Sequence, residues 1–201
     1  MTELDTSPPT TTAPDPRPVL ARVLDQTGDL VLGTDPTDSG RATPCSDYDV
    51  ATLVEHLLAV VRRVGVVVRG EPFFSVPREW SSTDWAGDWT TGRAETDAAL
   101  ATADLDRPVR VPWGEVPARA ALASYVGELA THSWDLAVAT GRRQTLDDEI
   151  AASALPASMA KLPAEPRGGD VPFGPVVPVA DDASATDRLV AWLGRDPGWR
   201  P

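Results

Sequence analysis

The stretch GELATHSWDLAVATGR, residues 127–142, decides the fold, because its apolar residues recur with the period of an amphipathic helix. Glu128 and His132 are four residues apart, about one turn, so both side chains lie on one face of this helix. A helical projection places the pair at the edge of the apolar face, where alanines on the same line leave room for a ligand. Pro117 is a typical start and Gly141 a typical stop for such a helix.

A second strongly apolar helix carries the other of the two histidines in the chain. Asp49 is a suitable N-cap, and the apolar stripe continues to about Val68. His56 lies at the edge of this stripe, as Glu128 and His132 do on their own helix. Two helices packed by these faces would bring His56 to the pair.

The remaining segments complete an all-α pattern. They are a first helix over residues 19–33, a long ordered loop at 71–87, a third helix from about Thr90 to Ala103, an extended segment at 106–117, a short fifth helix capped by Thr145 and ending near Met159, and a last short helix stopped by Gly194. We expect an antiparallel four-helix bundle with long connections and a small C-terminal appendage, formed by residues 17–201 as one domain. Residues 1–16 are acidic and rich in Pro and Thr, so we expect a disordered leader.

Composition excludes several classes of partner. The formal net charge is −12, and proteins that bind phosphate backbones or anionic membranes need clustered basic residues. No apolar run approaches the roughly 18 residues of a membrane span, and no secretory signal is recognisable. Cys45 is the single cysteine, which excludes an internal disulfide and a cysteine-rich metal site. We expect a cytoplasmic protein without nucleic-acid or membrane partners; bundles of this size are compatible with a homodimer.

The three candidate residues His56, Glu128 and His132 offer two imidazoles and a carboxylate, a ligand set typical of divalent metals. Three protein ligands leave a coordination position open, as in catalytic zinc sites. Zinc is our first expectation, with nickel or iron as alternatives, since imidazole suits all of them. The residues alone leave another interpretation open, in which Glu128 and His132 are a solvated helix pair and His56 is a packed or half-exposed side chain.

Two further residues are candidates for roles beside the metal. Arg63 lies seven residues after His56, about 10 Å along the helix axis. It is a candidate to bind a carboxylate of the substrate or of a thiol cofactor, and the alternative is a solvated arginine. Asp135, three residues after His132, would orient that imidazole, or else form a surface or interhelix salt bridge.

Four blocks of the sequence together resemble a known family. They are TPCSDYDVATLVEHL (43–57), VPWGEVPARAAL (111–122), ELATHSWDLAVATGR (128–142) and FGPVVPVADDASATDRLVAWLGRDPGW (173–199). In this order they resemble the actinobacterial metal-binding branch of the DinB-like superfamily, which is related to mycothiol-dependent maleylpyruvate isomerase. The resemblance covers about residues 17–201. That isomerase has an additional C-terminal domain, which a chain of this length is expected to lack.

The resemblance implies a four-helix bundle whose metal triad is His56, Glu128 and His132. It also implies a low-molecular-weight thiol, mycothiol, as cosubstrate, because a metal stabilises the thiolate that attacks an electrophile. We therefore predict a metal-dependent thiol transferase or thiol-dependent isomerase acting on a small electrophilic molecule. The alternatives are a protein that binds a small molecule or metal without chemistry, and a hydrolase or cyclase that uses a metal-bound water.

Overall fold

The computed structural model describes residues 14–169, 171 and 173–201, so most of the predicted leader lies outside the described residues. The described elements are α1 (Arg17–Leu32), α2 (Val50–Val68), α3 (Trp85–Ala101), β1 (Pro108–Val111), β2 (Gly114–Pro117), α4 (Ala118–Ala139), α5 (Asp148–Lys161) and α6 (Ala185–Trp192), with short 3₁₀ turns at Pro36–Asp38, Phe73–Ser75 and Arg143–Thr145.

The first four helices form the bundle. Helices α1 and α2 each pack against both α3 and α4 and barely touch each other, so they occupy diagonal corners. Leucines from three of these helices fill the centre, among them Leu20, Leu53, Leu57 and Leu129, each fully buried. Burying one leucine side chain contributes about 1.5–3 kcal/mol, which is enough to make this apolar seam the main source of stability. The predicted all-α bundle is confirmed.

Helix α2 is the most enclosed element, since every residue from His56 to Val68 is buried. Its N-terminus begins where predicted, with the Asp49 carboxylate accepting a hydrogen bond of 2.8 Å from the backbone N–H of Thr52. The loop that follows α2 folds back over it, and the N–H of Trp80 donates to the carbonyl of Glu55 at 2.9 Å. This loop covers the side of α2 that a simple bundle would leave in water.

The C-terminal appendage packs on the far half of α4. Helix α5 packs against α4, and α6 packs against α5. Trp134 and Val138 of α4 form a small separate core with Val190 of α6. The segment after α6 therefore lies close to the part of α4 that carries Asp135.

Two predicted helix starts are wrong. The third helix begins at Trp85 and not near Thr90, because the Asp84 carboxylate caps it by accepting from the N–H of Gly87 at 2.9 Å. The fifth helix is capped by Asp147, which accepts from the N–H of Glu149 at 3.0 Å, while the predicted cap Thr145 lies in the preceding 3₁₀ turn.

The segment predicted as extended forms an antiparallel hairpin. Strands β1 and β2 pair from Pro108 opposite Pro117 to Val111 opposite Gly114. Gly114 has a φ of +133°, a backbone conformation that favours glycine.

None of the helices in the described part of the chain combines the length and apolarity that crossing a bilayer requires.

Candidate metal centre

The packing of α2 against α4 brings the three predicted ligands together. Nε2 of His56 lies 3.4 Å from Oε1 of Glu128. The rings of His56 and His132 meet edge to face, with 4.9 Å between their centroids. The side chains of His56 and His132 are 9% and 13% exposed, and that of Glu128 is 32% exposed. The cluster is therefore enclosed by the bundle and open to solvent on the Glu128 side.

The orientation of His56 is set by the loop that covers α2. Its Nδ1 lies 3.2 Å from the carbonyl oxygen of Arg78. The hydroxyl of Tyr48 also lies 3.3 Å from this nitrogen, so Nδ1 either donates to the carbonyl of Arg78 or accepts from Tyr48. Nε2 is buried and has no hydrogen-bond partner among the described residues. An imidazole nitrogen 3.4 Å from a carboxylate oxygen calls for a proton or a cation between them, which is compatible with a metal ligand.

His132 is held in the Nδ1–H tautomer by a carboxylate. Its Nδ1 lies 3.0 Å from Oδ2 of Asp135, which is fully buried. Arg195, from the segment after α6, donates to the same carboxylate from Nη2 at 3.1 Å and from Nε at 3.4 Å. Asp135 thus contacts the His132 imidazole and also forms a salt bridge, which is buried and joins α4 to the segment after α6. Metal-binding histidines commonly donate their second N–H to a carboxylate in this way, leaving Nε2 for the metal.

The charges of the cluster favour the protonation states that a metal needs. Burial lowers the pKa of His132, and the hydrogen bond to Asp135 opposes this only in part. Burial by itself raises the pKa of Glu128, but its interactions with His56, His132 and Arg63 outweigh this and hold that pKa below its usual range. A neutral imidazole beside an ionised carboxylate is the form in which ligands bind a divalent cation.

A second group of ligand-type side chains shares His132. Among the described residues, Cys45, His132 and Asp135 have ligand atoms that all lie within 4.8 Å of one another, and the set His56, Glu128 and His132 does not meet that limit. Ligands at about 2.0–2.3 Å from zinc are roughly 3.3–3.8 Å apart, so the side chains of the predicted triad must rotate before all three can bind one ion.

The Cys45 group is the poorer metal site despite its shorter distances. Asp135 is already engaged by His132 and Arg195. Burial raises the pKa of the Cys45 thiol, which disfavours the thiolate that a metal binds. The triad of His56, Glu128 and His132 has free lone pairs and an accessible side, and we retain it as the candidate.

Arg63 lies beside the triad and is not solvated, since only 5% of the residue is exposed. Its Nη2 donates to the carbonyl of Pro77 at 2.6 Å, and its guanidinium lies over the ring of Phe73, 4.9 Å from the centroid. Within the described part of the chain, its Nε is buried without a hydrogen-bond partner, as is the hydroxyl of Tyr125. Burial, followed by the charge of Glu128, raises the pKa of Tyr125, so its hydroxyl stays a donor. Two buried donors therefore lie near Glu128.

Several residues of the site could not be found from the sequence. Arg78 contributes through its backbone carbonyl, which any residue type would offer. Arg195 lies sixty positions from Asp135 in the chain. Tyr48 stacks on His56 with 5.1 Å between ring centroids. Tyr125 lies three residues before Glu128, so it is the one residue of this group that helical spacing could have indicated.

A cleft on the described surface lies away from the triad. It has a volume of about 270 Å³ and is bordered by Arg62, Arg69, Trp80 and Glu95, between α2 and α3. None of the three candidate ligands lines it. The guanidinium of Arg62 is stacked on Trp80 at 4.1 Å and hydrogen-bonded to Asp88, so the polar groups of Arg62 are already satisfied.

Comparison with known proteins agrees with this architecture. Two curated relatives, an uncharacterized protein from each of the Mycobacterium tuberculosis strains CDC 1551 and H37Rv, are 28% identical over 181 residues, which is 90% of this chain and 98% of theirs. The crystal structure of the mycothiol-dependent maleylpyruvate isomerase, and that of a histidine-to-alanine variant of it, superpose with a TM-score of 0.55. The match covers 73% of this chain and 67% of that one at 14% identity, so it shows a common fold.

The family model described as the mycothiol maleylpyruvate isomerase N-terminal domain matches residues 20–137, more than half of the chain, and includes all three candidate ligands. This chain belongs to the family of mycothiol maleylpyruvate isomerase N-terminal domains.

Proposed function

We propose that this protein is a divalent-metal-dependent enzyme, with zinc as the expected metal, that joins the thiol mycothiol to a small electrophilic molecule. It acts either as a thiol transferase or as a thiol-dependent isomerase. One observation supports the proposal: the imidazoles of His56 and His132 and the carboxylate of Glu128 come together on the accessible side of the bundle. The matching family and the isomerase of similar fold are both named for mycothiol, which supports the choice of thiol.

The residues present fit a metal ion. Nε2 of His56 is a buried atom without a hydrogen-bond partner, and Glu128 faces it. His56, Glu128 and His132 would hold the ion and leave a position for the sulfur of the cosubstrate. When bound, the metal would supply a Lewis acid that favours thiolate over thiol.

The chain's own side chains would orient the second substrate. Arg63 Nε and the Tyr125 hydroxyl are buried donors without partners, next to Glu128. They are placed to donate hydrogen bonds to an oxygen of the electrophile or to a carboxylate of the thiol. The enclosing bundle keeps bulk water from the two histidines, which strengthens these hydrogen bonds.

Metal content is the first test. The native protein, His56→Ala and Glu128→Gln are expressed in metal-replete medium, dialysed and analysed by mass spectrometry for bound metal. Glu149→Gln is the matched control, because the Glu149 side chain is 80% exposed and pairs only with Arg22. We expect about one zinc per chain in the native and control proteins and strongly reduced zinc in the other two, since one of three ligands is lost.

Thiol dependence is the second test. The metal-loaded native protein is incubated with a panel of epoxides, quinones and activated alkenes, with and without mycothiol, and free thiol is followed. We expect loss of free thiol or isomerisation only when mycothiol is present. Metal binding without any such reaction would favour a binding protein, and turnover without thiol would favour the hydrolase or cyclase. Absence of metal from the native protein would contradict the proposal.

A further inference from the structure

We propose that Arg195 is a positioning residue for the metal ligand His132, acting through Asp135, so that the C-terminal segment completes the metal site. The inference rests on the proposed function. It concerns a residue outside the part that the family model matches, since that match ends at residue 137. His132 thus lies within the matched domain, while Arg195, which would position it, lies in a later segment of the chain.

The contacts form one continuous chain of hydrogen bonds. Arg195 approaches Asp135 with two nitrogens, Nη2 at 3.1 Å and Nε at 3.4 Å. Asp135 in turn accepts from Nδ1 of His132 at 3.0 Å. The Asp135 side chain is fully buried and that of Arg195 is 15% exposed, so water competes little for these contacts. Hydrogen bonds between charged partners are about twice as strong as neutral ones.

Arg195 is itself held in place by the turn that ends α6. Its N–H donates to the carbonyl of Val190 at 2.9 Å, and its Nη1 donates to the carbonyl of Leu193 at 3.2 Å. Gly194 has a φ of +82°, and a Cβ there would lie 2.8 Å from the carbonyl oxygen of Gly174. The turn therefore depends on glycine and directs the guanidinium toward α4.

Removing the guanidinium would leave Asp135 with His132 as its remaining partner. The carboxylate would then be free to turn, and the Nδ1–H of His132 would lose its fixed acceptor direction. Loss of a partner that orients a metal-binding histidine typically costs 10–100-fold in metal affinity.

A different interpretation is that Arg195 only docks the C-terminal segment. Arg143 distinguishes docking from positioning, because it also holds this segment. It donates to the carbonyl of Pro197 at 2.8 Å and pairs with Asp187. Among the described residues, none of its hydrogen bonds or ion pairs reaches the metal ligands or Asp135. Arg143→Met is therefore a control for docking without positioning.

The experiment uses the full-length native protein, Arg195→Met, Arg195→Lys and Arg143→Met. Zinc dissociation constants are measured by competition with a chromophoric chelator. The tautomer of His132 is measured on metal-free protein by long-range ¹H–¹⁵N correlation of the imidazole nitrogens, which a docking role would leave unchanged. Thermal unfolding of each variant reports on docking.

We expect Arg195→Met to weaken zinc binding about 10–100-fold and to convert His132 from one Nδ1–H tautomer to a mixture. Arg195→Lys keeps the charge but not the two-point contact, so it should recover part of both effects. It also supplies the comparison with native protein if Arg195→Met does not fold. Arg143→Met should lower the melting temperature while leaving zinc affinity and the tautomer unchanged.

Two results would overturn the inference. One is equal zinc affinity and an unchanged His132 tautomer in Arg195→Met and native protein. The other is an equal loss of zinc affinity in Arg195→Met and Arg143→Met. If the native protein binds no zinc but the tautomer still depends on Arg195, the proposed function fails and the positioning of His132 stands.

Discussion

Asp135→Asn is the substitution whose effect on stability follows most directly from the structure. The change preserves shape and removes the charge. Both oxygens of Asp135 accept hydrogen bonds, Oδ2 from His132 and from Arg195, and Oδ1 from Arg195. An asparagine NH₂ group would therefore face a donor in either orientation, and the buried guanidinium would lose its counter-charge.

The expected loss can be estimated from this geometry. Breaking a fully buried ion pair by removing one partner typically costs about 3–5 kcal/mol. Arg195 keeps some contact with water, at 15% exposure, and its Nε contact is long at 3.4 Å. We therefore expect the lower end, about 3 kcal/mol of unfolding free energy. For a chain of this size that corresponds to a melting temperature lower by about 6–12 °C.

Urea unfolding followed by circular dichroism measures this loss, with a chelator present so that metal binding does not add to stability. Asp25→Asn is the matched control, because its carboxylate is 68% exposed although it lies 2.7 Å from Nη1 of Arg93. Surface ion pairs of this kind contribute about 0–1 kcal/mol. If Asp135→Asn loses no more than the control, the buried contact of Asp135 with Arg195 does not carry the energy assigned to it.

Three further predictions concern packing and the buried hydroxyl, and urea unfolding checks each of them. Gly28→Ala should destabilise by about 1–3 kcal/mol, because the new Cβ would lie 2.6 Å from Nε1 of Trp89, a rigid indole only 4% exposed. Gly127→Ala should instead stabilise by up to about 1 kcal/mol through helix propensity, since the nearest atom to its Cβ is the rotatable Ser158 hydroxyl at 3.1 Å; an equal sign for both glycines would contradict the packing described. Tyr125→Phe should leave the unfolding free energy unchanged or raise it by up to about 1 kcal/mol, because its buried hydroxyl makes no hydrogen bond. A clear loss of stability would mean that this hydroxyl has a partner, whereas slower thiol transfer at unchanged stability would support its proposed role.

Local sequence patterns predicted the helices best where a capping residue and an apolar stripe agree. Helix α2 begins after Asp49 and ends at Val68, as predicted, because a carboxylate at an N-cap satisfies a free backbone N–H whatever the tertiary surroundings. The third helix was predicted to begin too late because residues 71–87 were interpreted as a loop, whereas Asp84 caps a helix that begins at Trp85. For the fifth helix, Thr145, Asp147 and Asp148 are all possible N-caps. Spacing alone favoured Thr145, whereas Asp147 is the cap in the structure.

The i, i+4 spacing of Glu128 and His132 determined by itself that they share a helix face, because helical geometry depends only on local backbone angles. The sequence also placed Asp135 one turn from His132, within reach of its ring. Tertiary structure alone decided that His56 meets Glu128, that Arg63 is buried, and that Arg195 binds Asp135. These contacts join residues distant in the chain, so they depend on how apolar faces pack and on where loops return, and no local periodicity encodes either.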